Sequence, residues 1–409
     1  MHILFLTDNF PPEVNAPASR TFEHAREWVR AGHQVTVITC APNFPKGKVY
    51  PGYRNRLWQR EEIAGIQVIR VWSYITANDG FARRIADYIS YMITATIAAL
   101  FVRRIDIVVA TSPQFFTAVA GWMVSTLKLR PWVFELRDLW PESIRAVGAM
   151  RESRVLDWIE KLELFLYRRA SAVVTVTEAF RANLIGRGIA PDKIHVVTNG
   201  VDLSRYSSSA KDAELASQLG LGSGFVAGYV GTMGMAHALD TVLDAALLLK
   251  RDSAAGNLRF LIVGDGAEKA ALKARAAAEN IDNLVFVDSV PKEQVARYWS
   301  LLDTSIIHLK RSELFETVIP SKLFECMAMA LPVCFGVRGE AAAIVETHGV
   351  GLLIEPQNAQ EMATAILRLR DDHDLYRQLA DNGPVAAAHF DRGNLAAKML
   401  AILEQRAGG

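Results

Sequence analysis

The sequence reads as an α/β chain of two doubly wound, Rossmann-like domains, and three observations point there. Short β-branched runs alternate with longer helical patterns along the whole length. A Ser- and Gly-rich stretch over 200–224 interrupts that alternation once, near the middle. The 409 residues, 51% of them hydrophobic, exceed what one core usually holds and suffice for two.

The elements follow in order. Strands are predicted over 2–7, 34–39, 66–72, 105–112, 131–137, 172–177 and 193–199, with helices between them over 19–31, 81–104 and 153–170. Strands separated by helices argue for a parallel sheet covered on both faces. The 200–224 stretch has few large apolar residues and reads as a linker. A second series then follows, with strands over 225–231, 258–266, 284–289, 304–310 and 331–337 and helices over 239–250, 267–280, 292–301 and 321–329. A last apolar-periodic helix over 394–406 closes the chain. The predicted domains are therefore 1–200 and 201–390, with 391–409 a terminal helix free to pack back on the first domain. Two such sheets joined by a linker imply a cleft between facing domains. Ligands are expected in the loops beyond the carboxyl ends of the strands.

The net charge of +1 conceals an uneven distribution. Residues 1–200 hold 25 Lys+Arg against 18 Asp+Glu, a balance of +7, and the remainder holds 20 against 26, a balance of −6. A basic first half is consistent with an anionic partner such as a lipid diphosphate or a membrane face, and equally with chance scatter of surface charge. No nucleic-acid partner is expected. The three cysteines, Cys40, Cys326 and Cys334, have no C-x-x-C spacing, which argues against a disulfide framework or a zinc site and fits a reducing cytoplasm. The N-terminal run has no basic start and meets Asp8 early, so it reads as a first core strand rather than a leader. Residues 88–102 carry no charge and are bracketed by Arg83-Arg84 and Arg103-Arg104. Fifteen helical residues reach about 22 Å, short of the ~30 Å hydrocarbon core. That leaves two readings open, a buried domain helix or a helix lying against the membrane interface.

Several loops carry groups suited to chemistry. After the first strand, 8–17 is stiffened by Pro11 and Pro12, and Ser19 is positioned to cap the following helix. Arg20 in that first turn offers charge to an anion. After the fifth strand, Glu135, Arg137, Asp138 and Glu142 fall within eight residues. Asp138 is a candidate for orienting a substrate hydroxyl or taking its proton, with an Arg137–Asp138 structural pair as the alternative. Gly231 and Thr232 follow the first strand of the second domain, where a glycine lets a ligand approach the backbone. The run 310–325 is the richest: Pro320 and Ser321 suit a helix start, and Lys310, Ser321, Lys322 and the helix N–H groups form a diphosphate cradle. Glu325, one turn beyond Lys322 on the same face, is placed to accept two ribose hydroxyls. Gly264-Asp265-Gly266 lacks the third glycine of a dinucleotide fingerprint, which argues against a dehydrogenase.

Taken together, the runs F-P-P-E at 10–13, A-G-H-Q-V-T-V-I-T at 31–39, V-T-E-A-F at 176–180, N-G-V-D at 199–202, L-I-V-G-D-G at 261–266 and F-E-C-M-A-M-A-L-P-V at 324–333 resemble glycosyltransferase family 4 of the GT-B fold, in order and over nearly the whole length. R-D-L-W-P-E-S-I at 137–144, T-V-I-P-S-K-L-F-E at 317–325 and P-N-F-P-K-G-K-V-Y-P-G-Y at 42–53 resemble the bacterial transferases that add N-acetyl-L-fucosamine or related amino sugars in O-antigen and capsule assembly. The resemblance implies a retaining transfer from a UDP-sugar held by domain two to a polyprenyl-diphosphate-linked saccharide held by domain one. It implies work at the cytoplasmic face of the inner membrane, no cofactor and no metal ion. It places Asn15, Arg20 and Arg137 near the acceptor and Gly231, Thr232, Lys310, Thr317, Ser321, Lys322 and Glu325 near the donor. Catalysis would fall to Asp138 and Glu316. Three departures stand out. Counting back from Glu325 for the family's Glu-x7-Glu pair lands on Thr317, with Glu316 one place away. The family's Arg and Lys after the first strand of domain two are replaced around Thr232 and His237. Its glycine pair in the first loop is replaced near Asn15 and Ala16. A UDP-sugar epimerase of the same fold and a non-catalytic nucleotide-sugar scaffold are the competing functions.

Overall fold

The structure is a computed structural model that describes residues 1–44, 46–76, 81–139 and 154–408. The chain divides into two compact units, Met1–Asn199 with Arg392–Gly409, and Gly200–Asp391.

Unit one is built on eight strands: β1 (His2–Leu6), β2 (Gln34–Cys40), β3 (Trp58–Ile63), β4 (Ile66–Val71), β5 (Ile107–Thr111), β6 (Trp132–Leu136), β7 (Ala172–Thr175) and β8 (Ile194–Val196). Their order is β3-β4-β2-β1-β5-β6-β7-β8, and all pairs are parallel except β3 with β4. β1, β5, β6 and β7 are buried along their whole length, as strands covered on both faces must be. One face carries α1 (Ala16–Arg30) and the terminal helix Arg392–Ala407. Trp28 Nε1 donates to Ala396 O (2.9 Å), Arg392 pairs with Glu23, and Leu395, Met399 and Leu403 join the core around Trp28. The opposite face carries α2 (Phe81–Leu100) and α3 (Phe115–Lys128).

Residues 88–102 fall largely within α2, which has one buried face and one exposed face. Tyr91, Ala95, Ala98 and Ala99 are buried in the core. Ile89, Ile93 and Ile97, four residues apart, stay 36%, 49% and 53% exposed, followed by exposed Leu100 and Phe101. Exposed Arg83-Arg84 and Arg103-Arg104 bracket this stripe. Among the described residues no helix is long and apolar enough to cross a membrane.

Unit two holds β9 (Val226–Val230), β10 (Arg259–Val263), β11 (Leu284–Val287), β12 (Thr304–His308), β13 (Val333–Gly336) and β14 (Gly351–Leu353), all parallel, in the order β11-β10-β9-β12-β13-β14. The expected linker is not a free tether. Val201 N donates to Phe390 O (3.0 Å), and Tyr206, Leu215 and Leu221 are buried in the core of unit two. Asp212 caps the short helix Ala213–Gln218 through Leu215 N. Sparse apolar residues, well spaced, are enough to anchor a polar segment. In each sheet the strand order reverses beside the first strand, between β1 and β5 and between β9 and β12. Those switch points are where open α/β sheets leave room for ligands.

Candidate active site

At the switch point of unit one lies a cavity of about 330 Å³. Asp8, Asn9, Glu13 and Asn15 line it from the loop after β1, Pro113 and Gln114 from the loop after β5, Asp138 from beyond β6, and Arg84, Asp87 and Tyr91 from α2. Its character is acidic. Burial raises the Asp8 carboxyl above its ordinary range, and it pushes Glu13 and Asp87 up to about 7 each, with Asp8 adding to both. Glu13 also ties loops together, accepting Asn43 N (2.8 Å), Phe44 N (2.9 Å) and Phe10 N (3.3 Å).

The structure bears on three sequence-based assignments here. The cap of α1 is Asn15, not Ser19: its Oδ1 accepts Ala18 N (2.9 Å), and its Nδ2 donates to Asn9 Oδ1 (2.6 Å). Asn15 thus lines the cavity while fixing the helix entrance. The Arg20 guanidinium is spent on protein groups. It is buried, with Nε on Glu135 Oε1 (2.8 Å), Nη1 on Thr198 O (2.6 Å) and Nη2 on Val197 O (2.9 Å), so it fastens β6 to the chain beyond β8. Glu135 is the carboxylate that Arg20 pairs with at this position. Burial favours its neutral form, but Arg20 and Arg137 outweigh that and hold it at about 2. Arg137 itself is pulled down to about 10 by burial, and its Nε and Nη1 are buried without a hydrogen-bond partner among the described residues. The backbone N–H groups of Arg137 and Asp138 share Ser112 Oγ (2.7 and 3.2 Å), which leaves the Asp138 side chain on the cavity wall. Trp140, Pro141 and Glu142 lie outside the described residues.

In unit two the site gathers at the carboxyl end of β9. Gly231 has φ +144°, and a Cβ there would sit 2.9 Å from Lys322 Nζ. A Cβ on Gly264 would strike the Gly231 carbonyl, so the turns after β9 and β10 lie backbone against backbone, strapped by Gly231 N to Val263 O (2.9 Å) and Met233 N to Asp265 O (2.8 Å). Thr232 is exposed, and its carbonyl accepts Tyr229 OH (2.6 Å). Lys322 opens the helix Lys322–Ala328. Its Nζ lies 3.6 Å from the centre of the Tyr229 ring, buried and with no hydrogen-bond partner among the described residues. Burial lowers its pKa to about 7 against the pull of Cys326 and Glu325. His237 meets the same ring edge-on (5.9 Å), its Nδ1 likewise buried and unpartnered among the described residues.

Glu325 occupies the position the sequence foresaw, one turn from Lys322, in company it did not foresee. Trp299 Nε1 donates to Oε2 (3.2 Å), Tyr206 hydrogen-bonds to the carboxylate, and Lys292 lies close enough to act on it. Burial raises the Glu325 carboxyl, opposed by those three and Lys322. Lys292 is lowered to about 8, by burial first and then by Arg205. Ser321 precedes the helix without a side-chain cap bond. Lys310 is exposed, and its backbone N–H donates to Ala236 O (2.8 Å) beside His237.

Glu316 ends the short helix Glu313–Glu316 and Thr317 follows it, and Glu316 lines a small pocket together with Lys310. Thr317 Oγ1 donates to Leu314 O (2.7 Å), so its proton is spent locally, and the Glu316 backbone packs against Gly339, where a Cβ would clash. The Asp-x-Asp spacing at Asp372–Asp374 is a helix cap, with Asp372 Oδ1 accepting Leu375 N (3.0 Å).

Residues 15–200 match the glycosyl transferase 4-like domain, and residues 224–372 match the glycosyl transferases group 1 domain. The chain carries both domains of a family 4/group 1 glycosyltransferase. WcaI of Escherichia coli K12, named as a colanic acid biosynthesis glycosyl transferase, is 24% identical over 379 residues, 90% of this chain and 91% of that protein. The GDP-mannose-dependent alpha-mannosyltransferase of Mycobacterium tuberculosis is 24% identical over 369 residues, 87% of this chain and 84% of that protein. Anabaena Alr3699/HepE, solved with UDP and glucose, superposes over 98% of this chain and 99% of its own with a TM-score of 0.73 at 19% identity. The fold of this glycosyltransferase is accordingly GT-B.

Proposed function

We propose that this glycosyltransferase serves surface-polysaccharide assembly. It would move a sugar, with an N-acetylated amino sugar such as L-fucosamine as the first candidate, from UDP to a saccharide carried on polyprenyl diphosphate, with retention at the anomeric carbon. The observation that carries the reading is Lys322. A buried amine with no partner among the described residues, beside a glycine at the carboxyl end of β9, is held ready for an anion. Glu325 one turn on takes the ribose, as a carboxylate with lone pairs to spare after Trp299 and Tyr206. The diphosphate of a nucleotide sugar fits between them. Alr3699/HepE in complex with UDP-glucose supports uridine as the nucleoside.

The C1–O bond to the diphosphate breaks and the acceptor oxygen bonds C1 on the same face. The acceptor proton passes to a carboxylate, the role given to Asp138, while Glu316 faces the developing positive charge. Lys322, Lys310 and backbone N–H groups meet the charge on the departing nucleotide, which makes a metal ion unnecessary to this reading. In unit one an acidic cavity suits the hydroxyls of a saccharide and repels a phosphate. The acceptor's diphosphate then belongs outside it, near exposed Arg83 and Arg84, with the Ile89-Ile93-Ile97 stripe against the inner membrane's cytoplasmic face.

The test is purified enzyme with a panel of UDP-amino sugars and a polyprenyl-diphosphate saccharide in vesicles. Acceptor-dependent release of UDP with an extended lipid-linked glycan is expected. Conversion of the sugar without acceptor would establish an epimerase instead, and binding without release a scaffold.

A further inference from the structure

The family's fixed cations after the first strand of domain two are missing from this chain, and the structure points to what replaces them. Lys322 Nζ and His237 Nδ1 are both buried, both lack a hydrogen-bond partner among the described residues, and both pack on the ring of Tyr229. We propose that Lys322 and His237 form a proton-gated grip on the donor diphosphate, uncharged in the empty site and charged when the nucleotide is seated. This inference rests on the donor-site reading above and adds its regulation.

The geometry argues for it as follows. Two polar atoms buried without partners are costly unless a ligand completes them. Their shared neighbour is an aromatic face, which attracts a cation weakly and supplies no hydrogen bond. The groups around them do not supply a fixed counter-charge. Lys322 faces Tyr229 from β9, His237 from the turn after it, and Cys326 and Glu325 from its own helix. Glu325 draws Lys322 towards its charged form but is shared with Lys292, Trp299 and Tyr206, and burial outweighs its pull. His237 faces Tyr229, Lys322 and His308. His308 is itself a neutral tautomer, since its Nδ1 donates to His237 O (2.9 Å) while its Nε2 accepts Gln357 N (2.8 Å). Burial accordingly lowers Lys322 to about 7, and burial together with Lys322 lowers His237 to about 4. A diphosphate brought against them favours the charged form of each, so protons move from solvent to the protein on binding. The sign follows: protons are taken up, so affinity falls as pH rises between the free and the bound pKa values, by as much as about tenfold per pH unit for each proton.

UDP is the probe, used between pH 7.5 and 9, where its terminal phosphate is already ionised. Titration calorimetry in two buffers of different ionisation enthalpy is expected to show uptake of about one to two protons per UDP at pH 7.5, and a Kd that rises about tenfold or more by pH 8.5. His237→Asn is expected to cut the uptake by about one proton and leave a shallower pH profile. Lys322→Met is expected to weaken UDP at least about tenfold while leaving the melting temperature of the empty protein unchanged or higher, because it removes a buried, unpartnered amine. A merely structural lysine would do the reverse. UDP binding with no proton uptake overturns the proton gate and leaves the donor site standing, whereas Lys322→Met with lowered stability and unchanged affinity overturns the donor site as well. Failure of the wild-type protein to bind UDP at any of these pH values overturns both.

Discussion

Replacing Arg20 by Met separates a structural arginine from a ligand-binding one. In the structure Arg20 is 2% exposed and holds Glu135 Oε1 at 2.8 Å, Thr198 O at 2.6 Å and Val197 O at 2.9 Å. Methionine fills most of the volume and returns none of these bonds. Glu135 is left buried with Arg137, whose geometry provides no bond to Glu135 Oε2. Breaking a buried pair from one side costs about 3–5 kcal/mol, a large share of the ~5–15 kcal/mol that holds a domain folded. At roughly 2–4 °C per kcal/mol for a unit of this size, the transition of unit one should fall by about 6–20 °C in scanning calorimetry. UDP binding to unit two should be unchanged. The acid limb adds a second readout. Glu135 is depressed to about 2, so its contribution is full above its unfolded range near 4.5 and is lost as pH falls from there towards 2, about 3 kcal/mol in all. In Arg20→Met the folded Glu135 carboxyl moves up towards its unfolded value, so that acid-side loss should shrink. A variant that melts within about 2 °C of wild type and shows only a raised KM for acceptor would refute this account and return Arg20 to the acceptor.

Other expectations follow from single contacts. Gly231→Ala puts a side chain at φ +144° and a Cβ 2.9 Å from Lys322 Nζ, so UDP affinity should drop about tenfold, with roughly 1–3 kcal/mol of lost stability; an unchanged Kd would separate the glycine from the donor site. Ile93→Glu with Ile97→Glu on the exposed face of α2 should abolish sedimentation with anionic vesicles and leave the melting temperature unchanged, whereas retained vesicle binding would remove this face from membrane contact. Deleting residues 392–409 strips Leu395, Met399 and Leu403 from the core around Trp28 and the Arg392 partner from Glu23. At about 1.5–3 kcal/mol per buried side chain, unit one should lose its cooperative transition, and a sharp melt in the truncated protein would show the helix to be dispensable.

How much of this was legible in the sequence depended on whether the signal was local. Every strand expected from β-branched periodicity is present to within a few residues, because a central parallel strand is apolar on both faces. β3 escaped because WQREEI is half-exposed along its length and pairs antiparallel at the edge. β14 escaped because three residues hold no period. Lys322 and Glu325 were legible as a pair because one helical turn separates them. Tyr206, Lys292 and Trp299 were not, because only the packing of unit two brings those distant segments to Glu325. His237 could be read only as a substitution at a cationic position. Arg20 looked like a ligand because a basic residue in a first helical turn often is one. In the structure it pairs with Glu135, 115 positions away.

The charge balance of the two halves misleads in an instructive way. The half with an excess of seven positive charges holds an acidic cavity, and the half with an excess of six negative charges holds the site built around a buried amine. Bulk charge and site charge answer to different forces. Surface arginines such as Arg83, Arg84, Arg103 and Arg104 keep their hydration and are counted in full, yet they act only within about a Debye length of the surface. Asp8, Glu13, Asp87 and Lys322 are few, but each has lost hydration, so its protonation follows whatever is placed beside it. A polyprenyl-diphosphate saccharide presents both kinds of group on one molecule: a phosphate head that suits an extended basic surface, and a hydroxyl-rich glycan that suits an enclosed acidic cavity. Unit one offers those two environments on the same helix, since α2 carries Arg83 and Arg84 at its start and lends Arg84 and Asp87 to the cavity wall. That continuity orients the proposed acceptor, lipid end outward and sugar end inward.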